Sequence, residues 1–266
     1  MSRVIIFGNK SYLQNSLYLF FKKKKLNVIK KNFSQLNLVV FQEKDIVINC
    51  SISSNFFHEN YRKICDRNLT IAQLIKRKKI HFFMLSTRMV YKPQTDINES
   101  SKIKPINIYA KNCYISELNC RKVLDKKLTV LRISNVVGYE VRNKRQSLMS
   151  TLIKSIKLKK VILDGSLNFT KDIIPINFFC QYFYKLLSNP KSIVNLGSGV
   201  SFSLKRIVAI LLRGKKVKII INKENYIKSD NSYSYNINKL IKLTGLSFNK
   251  FQVLKELQKI RSKLKL

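Results

Sequence analysis

Short runs rich in β-branched and aromatic residues alternate with helical stretches along most of the chain, and this alternation limits the possible folds more than any other feature. Strands that alternate with helices form a parallel sheet covered by helices on both faces. In the first half, the predicted strands span residues 4–7, 26–30, 45–50, 81–86 and 128–133, and the predicted helices span residues 12–24, 59–78 and 108–125. The sequence therefore predicts an α/β fold with a doubly wound parallel sheet.

The second half of the chain continues the alternation. Its predicted strands span residues 161–163, 192–196 and 216–221, and its predicted helices span residues 146–157, 178–187, 204–212 and 251–266. A chain of 266 residues with 45% hydrophobic composition is long enough to bury one large core. We therefore expect one α/β unit with at most a small appended lobe.

One connection in the first half is unusually short. About fourteen residues, 31–44, separate the second predicted strand from the third. A crossover between parallel strands needs a dozen residues or more, so this segment has room for a single crossover. We expect the sheet to lack the further strand and helix that a dinucleotide-binding sheet normally has on its adenine side.

The formal net charge of +38 allows two interpretations. Clustered lysines displace counterions from phosphate backbones, which would indicate a surface for polyanions. The alternative is a biased composition, because the lysines extend over the whole length and several clusters fall at predicted helix ends, where they favour the helix dipole. The even spread favours the second interpretation, so nucleic-acid binding is not expected. The charge should still steer anionic ligands towards the protein.

The cysteines, the apolar runs and the histidines each exclude a class of protein. Five cysteines without a CxxC pair indicate a reduced cytoplasmic interior rather than a disulfide framework. No apolar run reaches the roughly 18 residues that a membrane span needs. His58 and His81 are the only histidines, and neither stands in a pattern that predicts a metal site.

The first predicted strand leads into a turn that carries one glycine, and a helix follows. Such a turn can place a helix N-terminus against the pyrophosphate of a dinucleotide, although a single glycine also serves an ordinary turn. Gln14 has two open interpretations, since it would hold the helix off the sheet or reach towards the phosphates. The candidate cofactor-binding residues of the turn are Gly8, Ser11, Tyr12 and Leu13.

Two lysines stand where dinucleotide sites select between NAD and NADP. Sites specific for NAD place an acidic residue on the ribose 2′-hydroxyl about twenty residues beyond the turn. This chain has no acidic residue before Glu43, and Lys30 and Lys31 close the second predicted strand instead. A cation there suits a 2′-phosphate, so NADP is favoured over NAD, and a solvated lysine pair is the alternative.

Two longer segments resemble the reactive centre of the extended short-chain dehydrogenases/reductases, the NAD(P)-dependent epimerase/dehydratase family. The first, FFMLSTRMVYKP at residues 82–93, is similar to the strand and loop that carry the reactive hydroxyl, which falls on Thr87. The second, PINIYAKNCYISE at residues 105–117, is similar to the stretch P-x-x-x-Y-G-x-[ST]-K-x-x-x-E. Pro105, Tyr109 and Glu117 are in frame with that stretch. The turn after the first predicted strand resembles the family's G-x-x-G-x-x-G, with Ser11 and Gln14 at the second and third glycine positions.

Further segments resemble the family in the correct order, so that the resemblance covers nearly the whole chain. DIVINC places Asn49 and Cys50 beside the nicotinamide, and Asn68 matches the helix residue that supports the proton relay. VLRISNVVG, KDIIPINFF and IVNLGSG resemble later elements, in which Asn135 and Lys171 are the candidate substrate-binding residues. The resemblance implies a Rossmann-type core at residues 1–137, with the remaining sheet elements and a small C-terminal substrate-binding lobe at residues 138–266.

The family's chemistry is hydride transfer at the nicotinamide coupled to proton transfer at a sugar hydroxyl or ketone. The resemblance implies that Tyr109 is the acid/base and that Thr87 binds the reacting oxygen. The family lowers the pKa of the tyrosine with a lysine four residues on, but this chain has Cys113 there. Another cation reaches the site, or the helix is distorted so that Lys111 turns inward, or the activity is weak or lost.

The resemblance also narrows the reaction. In sugar 4,6-dehydratases an Asp-Glu pair directly follows the reactive threonine. In this chain Arg88 and Met89 stand at those two positions, so dehydration is disfavoured. A reductase of 4-keto sugars linked to a nucleotide is favoured, and an epimerase remains open. The rival hypothesis is a catalytically impaired member that binds a nucleotide or acts as a basic scaffold on RNA or an anionic surface. A homodimer is implied because the family often pairs through the helix that bears the tyrosine.

Overall fold

A six-stranded parallel sheet forms the centre of the molecule. The computed structural model describes residues 2–9, 11–138, 158–163, 166–214, 216–221 and 232–263. The strands of this sheet are β1 (Val4–Gly8), β2 (Val28–Asn32), β3 (Ile46–Asn49), β4 (His81–Thr87), β5 (Leu128–Ile133) and β9 (Ile193–Leu196). They lie in the order β2-β1-β3-β4-β5-β9. The doubly wound parallel sheet predicted from the alternation of strands and helices is confirmed.

Helices cover both faces of this sheet, and each face has its own hydrophobic core. Strand β1 is wholly buried and contributes Ile6 to one core and Phe7 to the other, because successive side chains of a strand point to opposite faces. The described helices are α1 (Tyr12–Lys23), α2 (Arg67–Ile75), α3 (Ile108–Leu124), α4 (Ile176–Leu186), α5 (Leu204–Leu212), α6 (Asn238–Thr244) and α7 (Lys250–Lys263). Helices α1 and α4 pack on one face, whereas α2 and α3 pack on the other.

The adenine side of the sheet is abridged, as the short connection predicted. Strand β2 is the edge strand, and within the described residues no strand lies outside it. A 3-10 helix, Phe33–Leu38, leads from β2 towards β3 in place of a further strand and helix. The connection from β2 to β3 therefore forms one compact crossover.

Two smaller sheets build the rest of the molecule. Strands β6 (Asn135–Val137), β8 (Thr170–Pro175) and β10 (Ser201–Ser203) form one, and β7 (Lys160–Leu163) pairs with β11 (Lys218–Ile221) in the other. The sequence predicted β7, β9 and β11, but it did not predict the short strands β6, β8 and β10 or helix α6.

Some predicted helices differ from the structure in extent. The helix predicted at residues 59–78 is shorter, because α2 begins only at Arg67. The preceding segment forms 3-10 turns at Ser54–Phe57 and Lys63–Cys65. Asp66 caps α2, since its side chain accepts from the main-chain N–H groups of Asn68 and Leu69. The helix predicted at residues 146–157 lies outside the described residues. No helix among the described residues has the length and hydropathy to cross a membrane.

Candidate active site

The end of β4 and the start of α3 are joined at the carboxyl edge of the central sheet. Ile106 N donates to Met89 O at 3.2 Å and Lys104 N donates to Val90 O at 2.9 Å. These bonds fix the segment before α3 against the turn that follows Thr87, the last residue of β4. Thr87 and Tyr109, which lies in the first turn of α3, are thereby held at the same edge of the sheet.

The Thr87 hydroxyl has a definite orientation. It is nearly buried and its oxygen accepts from Met89 N at 3.3 Å, as the cap of the 3-10 turn Arg88–Val90. A hydroxyl that accepts from the main chain keeps its own hydrogen for donation. Thr87 is therefore suited to donate a hydrogen bond to an oxygen placed over the end of β4.

An aromatic ring that the sequence did not reveal lies against Tyr109. Phe57 stacks on the Tyr109 ring with 4.7 Å between centroids and 10° between planes. The loop that carries Phe57 is fastened to α3 by Asn112, whose amide donates to Phe56 O at 3.1 Å and to Glu59 O at 2.7 Å. The stacked ring excludes water from one face of the phenol. Phe57 could not be assigned from sequence, because 52 positions separate the two rings in the chain.

Cys113 occupies the position where the family places a lysine, and its environment is apolar. The side chain is buried, and burial raises the pKa of its thiol far above the usual range despite a hydrogen bond with Tyr109. The thiol is therefore neutral. Helix α3 runs without a break over Ile108–Leu124 and Lys111 is exposed, so the alternative in which a distorted helix turns Lys111 inward is wrong.

Asn68 belongs to a buried network between α2 and α3. Its side-chain oxygen accepts from Asn49 Nδ2 at 2.7 Å, and its amide nitrogen donates to Ser116 Oγ at 3.4 Å. Ser116 in turn donates to Asp66 at 2.9 Å. The network connects the end of β3 to the middle of α3, so both Asn49 and Asn68 are held near the helix that carries Tyr109.

A buried ion pair fixes α3 from beneath. Arg132 on β5 binds Glu117 with Nη2 at 2.6 Å from Oε2, and Ser86 donates to the same carboxylate. Burial lowers the pKa of Arg132, but the hydrogen bonds and charge of Glu117 outweigh that effect and raise it above its ordinary value. The pair therefore remains charged and sets the orientation of α3 on the sheet.

At the other end of the site, the turn after β1 is held together by its own side chains. Ser11 caps α1 through a bond from Gln14 N to Ser11 Oγ at 3.2 Å. The Gln14 amide donates to Ile6 O at 3.0 Å and to Lys31 O at 2.9 Å. Gln14 thus lies beneath the turn against the two strands, and the alternative in which it reaches towards phosphates is wrong.

Gln14 also explains why Gly8 is a glycine. A β-carbon at Gly8 would lie 2.7 Å from Gln14 Cδ, which is closer than side chains pack. Tyr12 makes a similar close approach at Gly138, where a β-carbon would collide with the tyrosine hydroxyl at 1.6 Å. Leu13, by contrast, is part of the core between α1 and the sheet. The turn therefore contacts the segment after β6 through Tyr12.

The remaining predicted cofactor residues lie on β2 and β3. Lys30 Nζ donates to Asn15 Oδ1 at 3.0 Å and lies 4.9 Å from the centroid of the Tyr18 ring, so its side chain follows the surface of α1. Lys31 contributes its carbonyl to Gln14. Cys50 is buried directly after β3, and its N–H donates to Phe7 O at 2.8 Å.

The predicted substrate residues converge on Tyr233. Asn135 donates to the Tyr233 hydroxyl, and Lys171 Nζ lies 5.4 Å from the ring centroid. Arg88 also covers this ring, with its guanidinium carbon 3.6 Å from the centroid. Because Arg88 directly follows Thr87, this cluster adjoins the end of β4. The sequence identified Asn135 and Lys171, whereas the part played by Arg88 depends on where Tyr233 lies in the fold.

Asp172 is the fixed point beneath this cluster. Its buried carboxylate accepts from Ser198 N at 3.2 Å and from Gly199 N at 3.0 Å. Burial raises the pKa of Asp172 to about 6, and these main-chain donors limit the rise. Asp172 therefore ties β8, next to Lys171, to the turn that follows β9.

The comparison with protein-family models agrees with this arrangement. Residues 25–197 match the model described as the NAD dependent epimerase/dehydratase family. The chain belongs to this family. The match begins after the turn that carries Gly8, and this is the turn in which Ser11 and Gln14 replace two of the family's glycines.

Solved structures of low sequence identity share the fold of this family member. A protein named RMD from Pseudomonas aeruginosa, complexed with NADPH, is 15% identical, with 99% of each chain covered and a TM-score of 0.80. A variant of UDP-glucuronic acid 4-epimerase from Bacillus cereus is 14% identical, with 98% coverage of each chain and a TM-score of 0.80. The dTDP-glucose 4,6-dehydratase of Bacillus anthracis is 17% identical, with 98% of this chain and 96% of that chain covered and a TM-score of 0.76. No curated protein matches the chain.

Proposed function

We propose that the chain is an NAD(P)-dependent oxidoreductase or epimerase of nucleotide-linked sugars, with reduction of a 4-keto sugar as the favoured reaction and NADP as the favoured cofactor. The observation that carries the proposal is the junction of β4 and α3, where the bond from Ile106 N to Met89 O holds Thr87 and Tyr109 at one edge of the sheet. A hydroxyl and a phenol at the end of a buried strand supply a hydrogen-bond donor and an acid/base for one reacting oxygen.

The residues of this edge have separate parts in the proposed reaction. Thr87 donates its O–H to the substrate oxygen and thereby orients it. Tyr109 gives a proton to that oxygen in reduction or takes it in oxidation, and Phe57 keeps water from one face of the phenol. The nicotinamide cofactor supplies or accepts the hydride when bound.

The turn after β1 fits a dinucleotide in shape, although it has only one of the family's three glycines. Gln14 takes the space beneath the turn and bonds to strand carbonyls, so it does not occupy the face above. Ser11 caps α1 and leaves the helix in contact with the end of β1. We propose that Gly8, Ser11, Tyr12 and Leu13 hold the pyrophosphate side and that Asn49 and Cys50 line the nicotinamide side.

The cations around Tyr233 support a nucleotide-linked substrate. Lys171 and Arg88 lie on one ring within the same cluster, and Asn135 supplies an amide to it. Two cations on one ring, one of them next to Thr87 in the sequence, suit a sugar diphosphate. Solved structures with this fold include complexes of MoeE5 with UDP-glucose and with UDP-glucuronic acid, and we propose the same class of substrate here.

Other features of the proposed enzyme rest on the sequence alone. They are the division into residues 1–137 for the cofactor and 138–266 for the substrate, the homodimer, and the cytoplasmic location. Each remains a prediction.

A second candidate function is favoured by one observation. The buried, neutral Cys113 stands where the family has a lysine, and Lys111 points to solvent. A chain that keeps the fold and loses the charge would bind a nucleotide without turnover and act as a scaffold.

Cofactor binding is the test that precedes all others. The chain has no tryptophan, so the fluorescence of NADPH or NADH can be followed without energy transfer from indole. We expect saturable binding of at least one cofactor, with NADPH bound more tightly. If neither binds, the enzyme proposal fails, and if a cofactor binds but no nucleotide-linked keto sugar is reduced or epimerised, the scaffold function is favoured.

A further inference from the structure

An arginine that the sequence did not single out lies at the cofactor end of the site. Nη1 of Arg67, the first residue of α2, lies 3.2 Å from the Asn9 side-chain amide, which accepts from it through its oxygen when its nitrogen donates to Gly8 O. Its guanidinium carbon also lies 4.9 Å from the centroid of the Phe33 ring. Arg67 therefore bridges the turn that follows β1 and the segment that follows β2.

The end of β2 is where a dinucleotide fold places the ribose of its adenosine. Asn32, the last residue of β2, pairs with Gly8 in the register of the sheet, and Phe33 follows it. Sites for NAD carry an acidic residue at this point, whereas an arginine nearby accommodates the 2′-phosphate of NADP. In this chain the point is occupied by neutral Asn32, whose main-chain N–H donates to Gln35 Oε1 at 3.0 Å.

The charge of Arg67 has no counter-charge among the described residues. The side chain is half-buried, burial lowers the pKa of its guanidinium, and no carboxylate of the described chain forms an ion pair with it. A cation taken out of water in this way is stabilised when an anion binds beside it. One of its five N–H groups is used by Asn9, so the others remain available to a phosphate.

The lysines of β2 are less well placed for this task. Lys30 is bonded to Asn15 and lies along Tyr18, on the surface of α1. Lys31 is the next residue of the strand and so points to the opposite face. Lys30 and Arg67 are therefore two distinct candidates, one engaged with α1 and one held between the turn and Phe33.

We infer that Arg67 binds the 2′-phosphate of NADP(H) and makes the chain prefer NADP(H) to NAD(H). The inference rests on the proposed function, since it assigns a specificity residue to the same cofactor site. Phe33 holds the guanidinium plane and Asn9 fixes its edge, so the group is oriented before the cofactor binds.

The test compares two cofactor fragments that differ only in the 2′-phosphate. Calorimetry on the full chain should show 2′,5′-ADP bound at least tenfold more tightly than 5′-AMP. The substitution Arg67→Met keeps an unbranched side chain against Phe33, and we expect it to weaken 2′,5′-ADP about tenfold or more while 5′-AMP changes less than twofold. Unchanged 5′-AMP binding also shows that the variant is folded. Arg77→Met, at an exposed position in the turn after α2, is the matched control, with less than twofold change for either fragment. Lys30→Met tests the rival cation.

Each other result overturns the inference. Equal weakening of both fragments by Arg67→Met would mean that the arginine binds the 5′-phosphate, on the pyrophosphate side. A selective loss in Lys30→Met instead would assign the 2′-phosphate to the lysine. If the unsubstituted chain binds 5′-AMP with no preference for 2′,5′-ADP, only the inference fails, whereas a chain that binds neither fragment and neither cofactor would overturn the proposed function too.

Discussion

The two ends of the site have both lost family residues, with different consequences. At the turn after β1, Gln14 replaces a glycine, and its side chain bonds to Ile6 O and Lys31 O beneath the turn. In α3, Cys113 replaces a lysine, and burial keeps its thiol neutral. The first change is one of shape and is compensated where it occurs, whereas the second removes a charge that the neutral thiol does not replace.

This difference follows from the physical nature of each role. A side chain that replaces a glycine needs only space and hydrogen-bond partners for its polar groups. The carbonyls at the ends of two adjacent strands provide those partners. A missing ammonium needs another cation close to the phenol, because the electrostatic effect on a pKa falls with distance. The following predictions test each side of the comparison, from the largest effect to the smallest.

Tyr109→Phe removes the proposed acid/base and leaves the ring stacked on Phe57. We expect turnover of a nucleotide-linked keto sugar to fall at least about 100-fold, since acid/base groups contribute about that much or more. Tyr114→Phe, one turn further along the same helix, is the control and should keep its turnover. Equal rates in the two variants would remove Tyr109 from the reaction.

Gln14→Ala tests whether the turn depends on its own compensation. The change leaves Ile6 O and Lys31 O without their buried donor, so the free energy of unfolding should fall by about 2 kcal/mol. Chemical denaturation measures this effect. Asn15→Ala, the next residue of α1, is the control, because its bond to Lys30 is exposed, and it should cost less than about 0.5 kcal/mol. If Gln14→Ala were equally mild, Gln14 would not be the support of the turn.

Cys113→Lys tests whether the proposed site lacks a positive charge beside Tyr109. An ammonium one helical turn from Tyr109 favours the phenolate, so we expect turnover at neutral pH to rise about tenfold. Cys113→Met adds length without charge and is the matched control. Cofactor affinity, measured in both variants, shows whether each has kept the folded site. The same turnover in the two variants would contradict the electrostatic explanation.

Ser11→Ala removes the cap of α1 and should have the smallest effect. Loss of an N-cap costs about 1 kcal/mol of stability, measured by chemical denaturation. Ser16→Ala, within α1, lacks this capping role and should be close to neutral. A loss of 3 kcal/mol or more from Ser11→Ala would show that the serine has a larger part in the turn than capping.

The central sheet could be predicted because most of its strands are short runs rich in β-branched and aromatic residues, and helices of ordinary length separate them. The missing outer strand could also be predicted, since residues 31–44 are too few for two crossovers. The three-residue strands β6 and β10 carry too few residues to show a period of two, so no pattern revealed them. The register that makes β2 the edge strand became visible only in the folded chain.

The site was predictable where neighbours in sequence decide it. Thr87, Tyr109 and Cys113 were assigned because single segments of the sequence resemble the family's motifs. The direction of Gln14 was left open, because it depends on the carbonyl of Lys31, which another strand brings close. Phe57 and Arg67 were missed for the same reason, since their partners come from distant parts of the chain.

The pH dependence of turnover tests the central claim most directly. Rates of keto-sugar reduction measured from pH 6 to 10 report the ionisation of the group that transfers the proton. If the proposed site lacks only the positive charge beside Tyr109, the apparent pKa of the pH–rate profile should be at least one unit lower in Cys113→Lys than in Cys113→Met. Profiles that coincide for the two variants would contradict the claim that the substitution at Cys113 limits the reactivity of Tyr109.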